Sequence, residues 1–273
     1  MKKSLKYREV VGDARRVVVK IGSRVLVQKN GRPDVRRMRS LTSQVVKLHK
    51  AGYEVVIVSS GAIGAGMQAL NMKERPDSLP DLQMAAAVGQ TRLMSRYDEL
   101  FSSYGCKVGQ VLLTHHDFHH KIRLSNARRT MENMLRKKVI PIINENDVVA
   151  DEEIKADLAL GDNDFLAALL VKLIRADLLV ILTTADGLRK PGKSGHTRRI
   201  RYVETVNRKT LELAAGGGDS KLSKGGMYSK LKAAQAASKS GCCVIIANGR
   251  QNQVLARVMS GDDVGTIVLA SGI

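Results

Sequence analysis

VVVKIGS, residues 17–23, is an apolar, β-branched run interrupted by Lys20 and closed by Gly22. Three consecutive valines and an isoleucine suit a strand covered on both faces, as in a parallel sheet between layers of helix. Two further runs end in the same manner. VVIVSSGAIGAG (55–66) passes into Ser59, Ser60 and three glycines, and VIPIINEND (139–147) passes into Asn144, Glu145, Asn146 and Asp147. In an open α/β sheet, ligands bind outside the carboxyl ends of the strands. One lysine, one Ser-Gly turn and one acid-amide turn therefore converge on a single crevice, a place for a small charged substrate.

Outward from these runs, strand-like and helix-like stretches alternate. Strands are predicted at 16–21, 53–58, 108–113, 139–143, 177–182, 243–247 and 264–269. Between the first two, Val35, Met38, Leu41, Val45 and Leu48 recur at helical spacing, with Pro33-Asp34 before them and Gly52 after. Residues 82–104, 121–137, 162–175 and 227–240 read as helices too. The rhythm predicts an α/β fold with a mainly parallel sheet and helices on both faces. It is broken at 71–81, which is polar with two prolines, at 148–162, an acidic loop, and at 187–203, a basic excursion expected to be a mobile hairpin.

The chain of 273 residues is long enough for a full core, 44% of it is apolar, and it contains no Trp. No run of about 18 apolar residues spans a membrane. The start, MKKSLKYREVVGDARR, is basic without an apolar segment and is not a secretory signal, so a soluble, cytoplasmic protein is expected. Cys106, Cys242 and Cys243 form neither a disulfide framework nor a zinc spacing, and buried reduced thiols are expected. Lys and Arg number 45 against 26 Asp and Glu, a net charge of +19. Such a balance suits nucleic acid or anionic substrates. The basic residues are dispersed, however: Arg36, Arg37 and Arg39 fall on a helix, and Arg198, Arg199 and Arg201 in an expected loop. No aromatic interleaving accompanies them, so nucleic-acid binding is not the expected role.

Each candidate cluster has a chemical and a purely structural reading. GAIGAG (61–66) is neither the dinucleotide fingerprint nor a P-loop. It is a turn that binds an anion through free N–H groups, or simply a tight turn needing glycine. Lys20 in a buried strand requires an anionic partner, unless it lies at an edge and reaches solvent. In GDND (161–164), Asp162 or Asn163 could cap a helix, while two carboxylates and an amide exceed capping needs and could hold lysines or a magnesium-bound phosphate. SKGGMYSK (223–230) sets Lys224 and Lys230 about two glycines at a helix start, suited to phosphate or else a solvated basic turn. HHDFHH (115–120) has the look of a metal cluster but lacks the partner spacing of one, and a solvated loop is expected.

In this order the clusters resemble the amino-acid kinase family. The shared stretches are VVVKIGSRVL, VIVSSGAIGAGM, AAAVGQTRLM, VGQVLLT, VIPIINENDVV, EIKADLALGDNDFLAALL and GGMYSKLKAAQAA, spread from residue 15 to 269. INEND and GDND together point to the branch that phosphorylates the side-chain carboxylate of L-glutamate. The resemblance implies a single three-layer αβα domain over 1–273. A glutamate lobe would occupy about 14–176 and an ATP lobe about 177–273, with no PUA domain. It places Lys20 at the ATP phosphates with Gly22, and Ser60, Gly61, Asp147 and Asn163 at glutamate. Thr183, Thr184, Lys224, Gly225, Gly226 and Met227 fall at the nucleotide. Lys230 reaches the transferred group, and Asp164 orients the two lysines. No residue is assigned to a protein-bound metal; Mg²⁺ would arrive on the ATP phosphates. The product would be L-glutamyl 5-phosphate, on the way to proline. Proline as feedback inhibitor, a glutamyl-phosphate reductase partner and a homo-oligomer (dimer or tetramer) are implied as well. The sequence departs from the family at Arg24, Phe165, Thr184, Arg189 and Lys224, mostly on the nucleotide side.

The chemistry suits these residues independently. A side-chain carboxylate, with a reference pKa of about 4.3, is already an ionised nucleophile at neutral pH and needs no general base. The reaction needs charge neutralised on the moving phosphoryl group and two anions placed in line. Alternatives are a kinase for another small acid, such as N-acetylglutamate or carbamate, and a basic nucleic-acid-binding or regulatory protein on the same scaffold.

Overall fold

The computed structural model describes residues 11–28, 33–149, 162–192, 196–214 and 226–271. Its strands are β1 (Arg16–Ile21), β2 (Glu54–Val58), β3 (Lys107–Leu113), β4 (Val139–Glu145), β5 (Leu178–Thr183), β6 (Arg189–Pro191), β7 (Thr197–Arg199), β8 (Tyr202–Val203), β9 (Cys243–Asn248) and β10 (Gly265–Val268). Eight of them form one sheet in the order β3-β4-β2-β1-β5-β9-β10-β8, and β6 and β7 form a separate antiparallel pair. The helices of six residues or more are α1 (Val35–Lys50), α2 (Ala62–Ala69), α3 (Leu79–Ser102), α4 (Lys121–Arg136), α5 (Asp162–Ile174), α6 (Arg208–Ala214), α7 (Met227–Lys239) and α8 (Val254–Met259).

The sheet grows outward from β1. β2 pairs with it in parallel on one side and β5 on the other, so the strand order turns at β1 and leaves the crevice there. Alternate residues of β1 face opposite layers. Val17, Val19 and Ile21 join one apolar cluster, which includes Met38 and Leu41 of α1 and Phe101 of α3. Val18 joins the other, with Met131 of α4, Leu170 of α5 and Leu231 of α7. Lys20 has the parity of Val18, which turns it toward the layer of α5 and α7. Burying each of the three valines, all at 0% exposure, is worth roughly 1.5–3 kcal/mol against leaving it in water.

The parallel pattern stops at β10, which runs antiparallel to β9. A parallel return needs a crossover long enough to travel back along the strand. The six-residue α8 rises only about 9 Å, less than the roughly 20 Å length of the six-residue β9. The excursion at 187–203 is a hairpin as expected, but Arg198 and Arg199 lie on β7 rather than in a loop. Arg199 and Arg201 both pair with Asp263, at 2.7 and 2.6 Å, which fastens the excursion to the segment before β10.

The sequence reading assigns α2 no range and takes GAIGAG only as the turn from strand to helix; its three glycines are poor helix formers. Packing overrides that preference. A Cβ on Gly66 would lie 1.7 Å from the Ala85 carbonyl oxygen, and one on Gly89 would lie 1.7 Å from that of Ala62. The α2 and α3 backbones are thus in direct contact. α3 begins at Leu79, three residues before the predicted start, because Ser78 accepts a hydrogen bond from the Asp81 N–H at 3.2 Å and Pro80 suits a first turn.

At the amino end of β1, Arg16 pairs with Glu54 at 2.7 Å and Glu132 at 2.8 Å. Asp177, just before β5, accepts from the Arg15 and Arg16 N–H groups at 2.8 and 2.7 Å. This end of the sheet is held together by ion pairs and backbone caps.

Candidate active site

At the carboxyl end of β1, three charged side chains from three elements meet. Lys20 forms an ion pair with Oδ1 of Asp164, in the first turn of α5. Lys230, in the first turn of α7, contacts Oδ2 of the same carboxylate at 3.1 Å. Lys20, Asp164 and Lys230 are only 6%, 1% and 5% exposed. Ser229 donates to Asp164 Oδ2 at 3.4 Å, and Lys230 Nζ donates to the Gly226 carbonyl at 3.3 Å. Burial pushes the Asp164 carboxyl up, but the ammonium groups of Lys20 and Lys230 outweigh it and hold the group below the usual carboxylate range. The Lys230 ammonium is shifted down, first by burial and further by Lys20 and Arg24, with Asp164 opposing. One buried carboxylate thus balances two buried ammonium groups, leaving a positive centre that favours an incoming anion.

These groups line a cleft of about 560 Å³, within the roughly 300–1,000 Å³ typical of ligand sites. Gly22, Thr183, Ser60, Gly61, Asp147 and Asn163 line it together with the lysines. Gly61 has φ +100°, a left-handed conformation that favours glycine, so this glycine serves the turn. Thr184 is exposed and does not line the cleft. Met227 packs on the apolar cluster beneath α7. Gly226 stands at the start of α7, with its carbonyl on Lys230. Lys224 and Gly225 lie outside the described residues, as do 150–161, most of the acidic loop.

The Asn163 side chain caps no helix. Its Nδ2 donates to Ser60 Oγ at 3.0 Å and to Asn144 Oδ1 at 3.1 Å. Asn144, 2% exposed, donates in turn from Nδ2 to Gln90 Oε1 at 2.7 Å. Neither Asn144 nor Gln90 was given a role of its own from the sequence. The first appears there within the acid-amide turn, as the second residue of INEND. The second sits in AAAVGQ on α3, where nothing distinguishes it from a solvated helical glutamine. Arg24 and Arg75 also line the cleft as basic groups that the sequence candidates omit.

The histidine run does not form a wholly solvated loop. Residues His115–His119 form a 3-10 turn, and His115 packs on Phe165 with ring centroids 5.6 Å apart. The Nε2 atoms of His115 and His119 approach to 3.3 Å.

A crevice at the strand-order turn, lined by amide side chains and by a cationic pair, marks an α/β protein of the kind that binds ligands beyond the carboxyl ends of its strands. The chain matches the amino acid kinase family over residues 15–248, and it belongs to that family. It is 47% identical over 267 residues to the glutamate 5-kinase of Citrifermentans bemidjiense, covering 97% of this chain and 70% of that protein. It is 42% identical over 261 residues to the glutamate 5-kinase of Clostridium tetani, covering 95% and 96%. Among solved structures, carbamate kinase from Giardia lamblia bound to AMP-PNP shares the fold with a TM-score of 0.65 at 17% identity, over 94% of this chain and 99% of that one.

Proposed function

We propose that this protein is an ATP-dependent kinase that transfers the γ-phosphoryl group to the side-chain carboxylate of L-glutamate. A carboxylate oxygen attacks the γ-phosphorus, the bond to the β-phosphate oxygen breaks, and L-glutamyl 5-phosphate and ADP leave. The observation that carries this reading is the pair Lys20 and Lys230 on the single carboxylate of Asp164, in one cleft that Ser60, Asn144 and Asn163 also line. The relatives named glutamate 5-kinase supply the substrate.

Lys20 and Lys230 take the phosphoryl oxygens, and Asp164 holds both ammonium groups in place between turnovers. Ser60, Gly61, Asp147 and Asn163 hold the amino acid, while Gly22, Thr183 and the stretch 224–227 serve the nucleotide. Asp164 is committed to the lysines, and among the described residues no three His, Cys, Asp or Glu side chains come together to hold a metal. A magnesium ion would arrive on the nucleotide's own phosphates, where it would neutralise phosphoryl charge. An acyl phosphate is a reactive anhydride, so a reductase that consumes it is an expected partner. Feedback by proline and assembly into a homo-oligomer belong to the same proposal.

Coupled ADP release tests the reading. Turnover is expected with L-glutamate and not with N-acetylglutamate or carbamate; turnover with either of those and none with L-glutamate would overturn it.

A further inference from the structure

We infer that Arg24 gives the cleft a third phosphate-binding cation, one that takes the γ-phosphoryl group of the nucleotide beside Lys20 and Lys230. The inference rests on the kinase reading above. Arg24 lies in the four-residue helical turn Ser23–Leu26 that follows β1, and it lines the same cleft as both lysines. Its main chain is fastened from two directions. The Val25 N–H donates to the Gly22 carbonyl at 2.9 Å, and the Arg250 guanidinium donates to the carbonyls of Arg24 and Val27 at 2.8 and 3.1 Å. A Cβ on Gly249 would stand 2.8 Å from Val25 Cγ1, so the turn after β9 presses directly on this segment. A fixed backbone confines the guanidinium to the arc that its own side chain can reach.

Within that arc its charge is felt at the cationic centre. Burial does most to lower the Lys230 ammonium, and Arg24 adds to the lowering with Lys20 while Asp164 opposes it. Asp164 is committed to the two lysines. No carboxylate among the described residues, Glu145 and Asp147 of the cleft included, forms an ion pair with Arg24. An exposed cation held near like charges is relieved by an incoming anion. A terminal phosphate, with about two negative charges at neutral pH, answers it better than a carboxylate with one. Lys230 takes the phosphoryl oxygens in the kinase reading, which puts that phosphate within the field of Arg24. The residue type fits the place as well. A third ammonium beside Lys20 and Lys230 would shed its proton readily, whereas a guanidinium stays charged and its fork takes two phosphate oxygens at once.

The test separates nucleotide binding from turnover. Titration calorimetry gives Kd for ATP and for ADP, both with Mg²⁺ and without glutamate, and coupled ADP release gives kcat and the KM for glutamate. Arg24→Met keeps much of the side chain's length and removes its charge; the position is exposed, so the melting temperature should match the parent's. Its Kd for ATP is expected to rise about 10- to 100-fold, the range for hydrogen bonds to a charged group, while the Kd for ADP moves less than about twofold. The KM for glutamate should also hold within about twofold. Arg36→Met removes the same charge from an exposed position on α1 and should leave the ATP–ADP difference as it is in the parent. Equal losses for ATP and ADP, a loss confined to glutamate, no loss at all, or the same loss in Arg36→Met would each overturn the inference. A parent that binds ATP but releases no ADP with glutamate sinks the glutamate reading and leaves the ATP–ADP comparison to decide on Arg24. A parent that binds no ATP sinks both, before any variant is made.

Discussion

At the amino end of β1, Arg16 meets two carboxylates, Glu54 and Glu132; at the carboxyl end, Lys20 shares one carboxylate, Asp164, with a second cation, Lys230. The first cluster has an excess of anion and is partly open, with Glu54 and Glu132 side chains 38% and 32% exposed. Water screens what the ion pairs leave over, and the cluster is complete without a ligand. The second has an excess of cation and is almost closed to solvent. What the pairs leave over there is felt in full, and in the proposed reading an anion from outside completes the cluster. Four residues apart on one strand, a basic side chain is a fastening in one place and, in the proposed reading, a receptor in the other.

The sharpest attack on this contrast is Asp164→Asn. It strands two buried ammonium groups and is expected to cost about 3–5 kcal/mol of stability in denaturant unfolding, with loss of turnover. If stability is unchanged, the carboxylate is not the counter-charge described. The pH dependence sharpens the same point. Because the folded-state pKa of Asp164 lies below its ordinary 3.8, its contribution is fully present above that value and fades as pH falls through the depressed one. Parent and variant stabilities should therefore converge below about pH 4 and stay apart above it.

Lys20→Met comes next. Turnover is expected to drop by about 10²–10³-fold, as for removal of one electrostatic donor. Stability should hold or rise, since Asp164 then faces Lys230 alone. A variant that melts early while retaining kcat would invert the assignment. The smallest effect belongs to the other end. Arg16→Met should lower stability by roughly 1 kcal/mol, given partial exposure, and leave kcat and both KM values untouched. A kinetic defect there would erase the distinction between the two ends.

The strands were legible because β-branched runs have few other uses, and Lys20 because a lysine inside such a run demands a partner. The partner's arrangement was less so. Asp164 and Lys230 lie 66 positions apart, and only the sheet order brings α5 and α7 to the end of β1. Arg16 illustrates the converse. It flanks the same valines as Lys20, and nothing in its neighbourhood in sequence announces Glu132. α2 was hidden by its own glycines, whose purpose lies in α3. The turn of β10 against β9 depended on the length of α8, which no apolar periodicity encodes. Gln90 was invisible for a simpler reason: the direction of an amide is a property of its neighbours in space.

The seam between Gly66 and Gly89 has a mechanical consequence. Two helices that meet main chain to main chain have no side-chain cushion to absorb a shift, and no smaller residue exists with which to loosen the fit. The turn bearing Ser60 and Gly61 runs directly into the shorter of them, while the longer is a 24-residue shaft that carries Gln90 beside the seam. Whatever tilts that shaft must carry the turn of Ser60 and Gly61 with it, as a door moves with its hinge post.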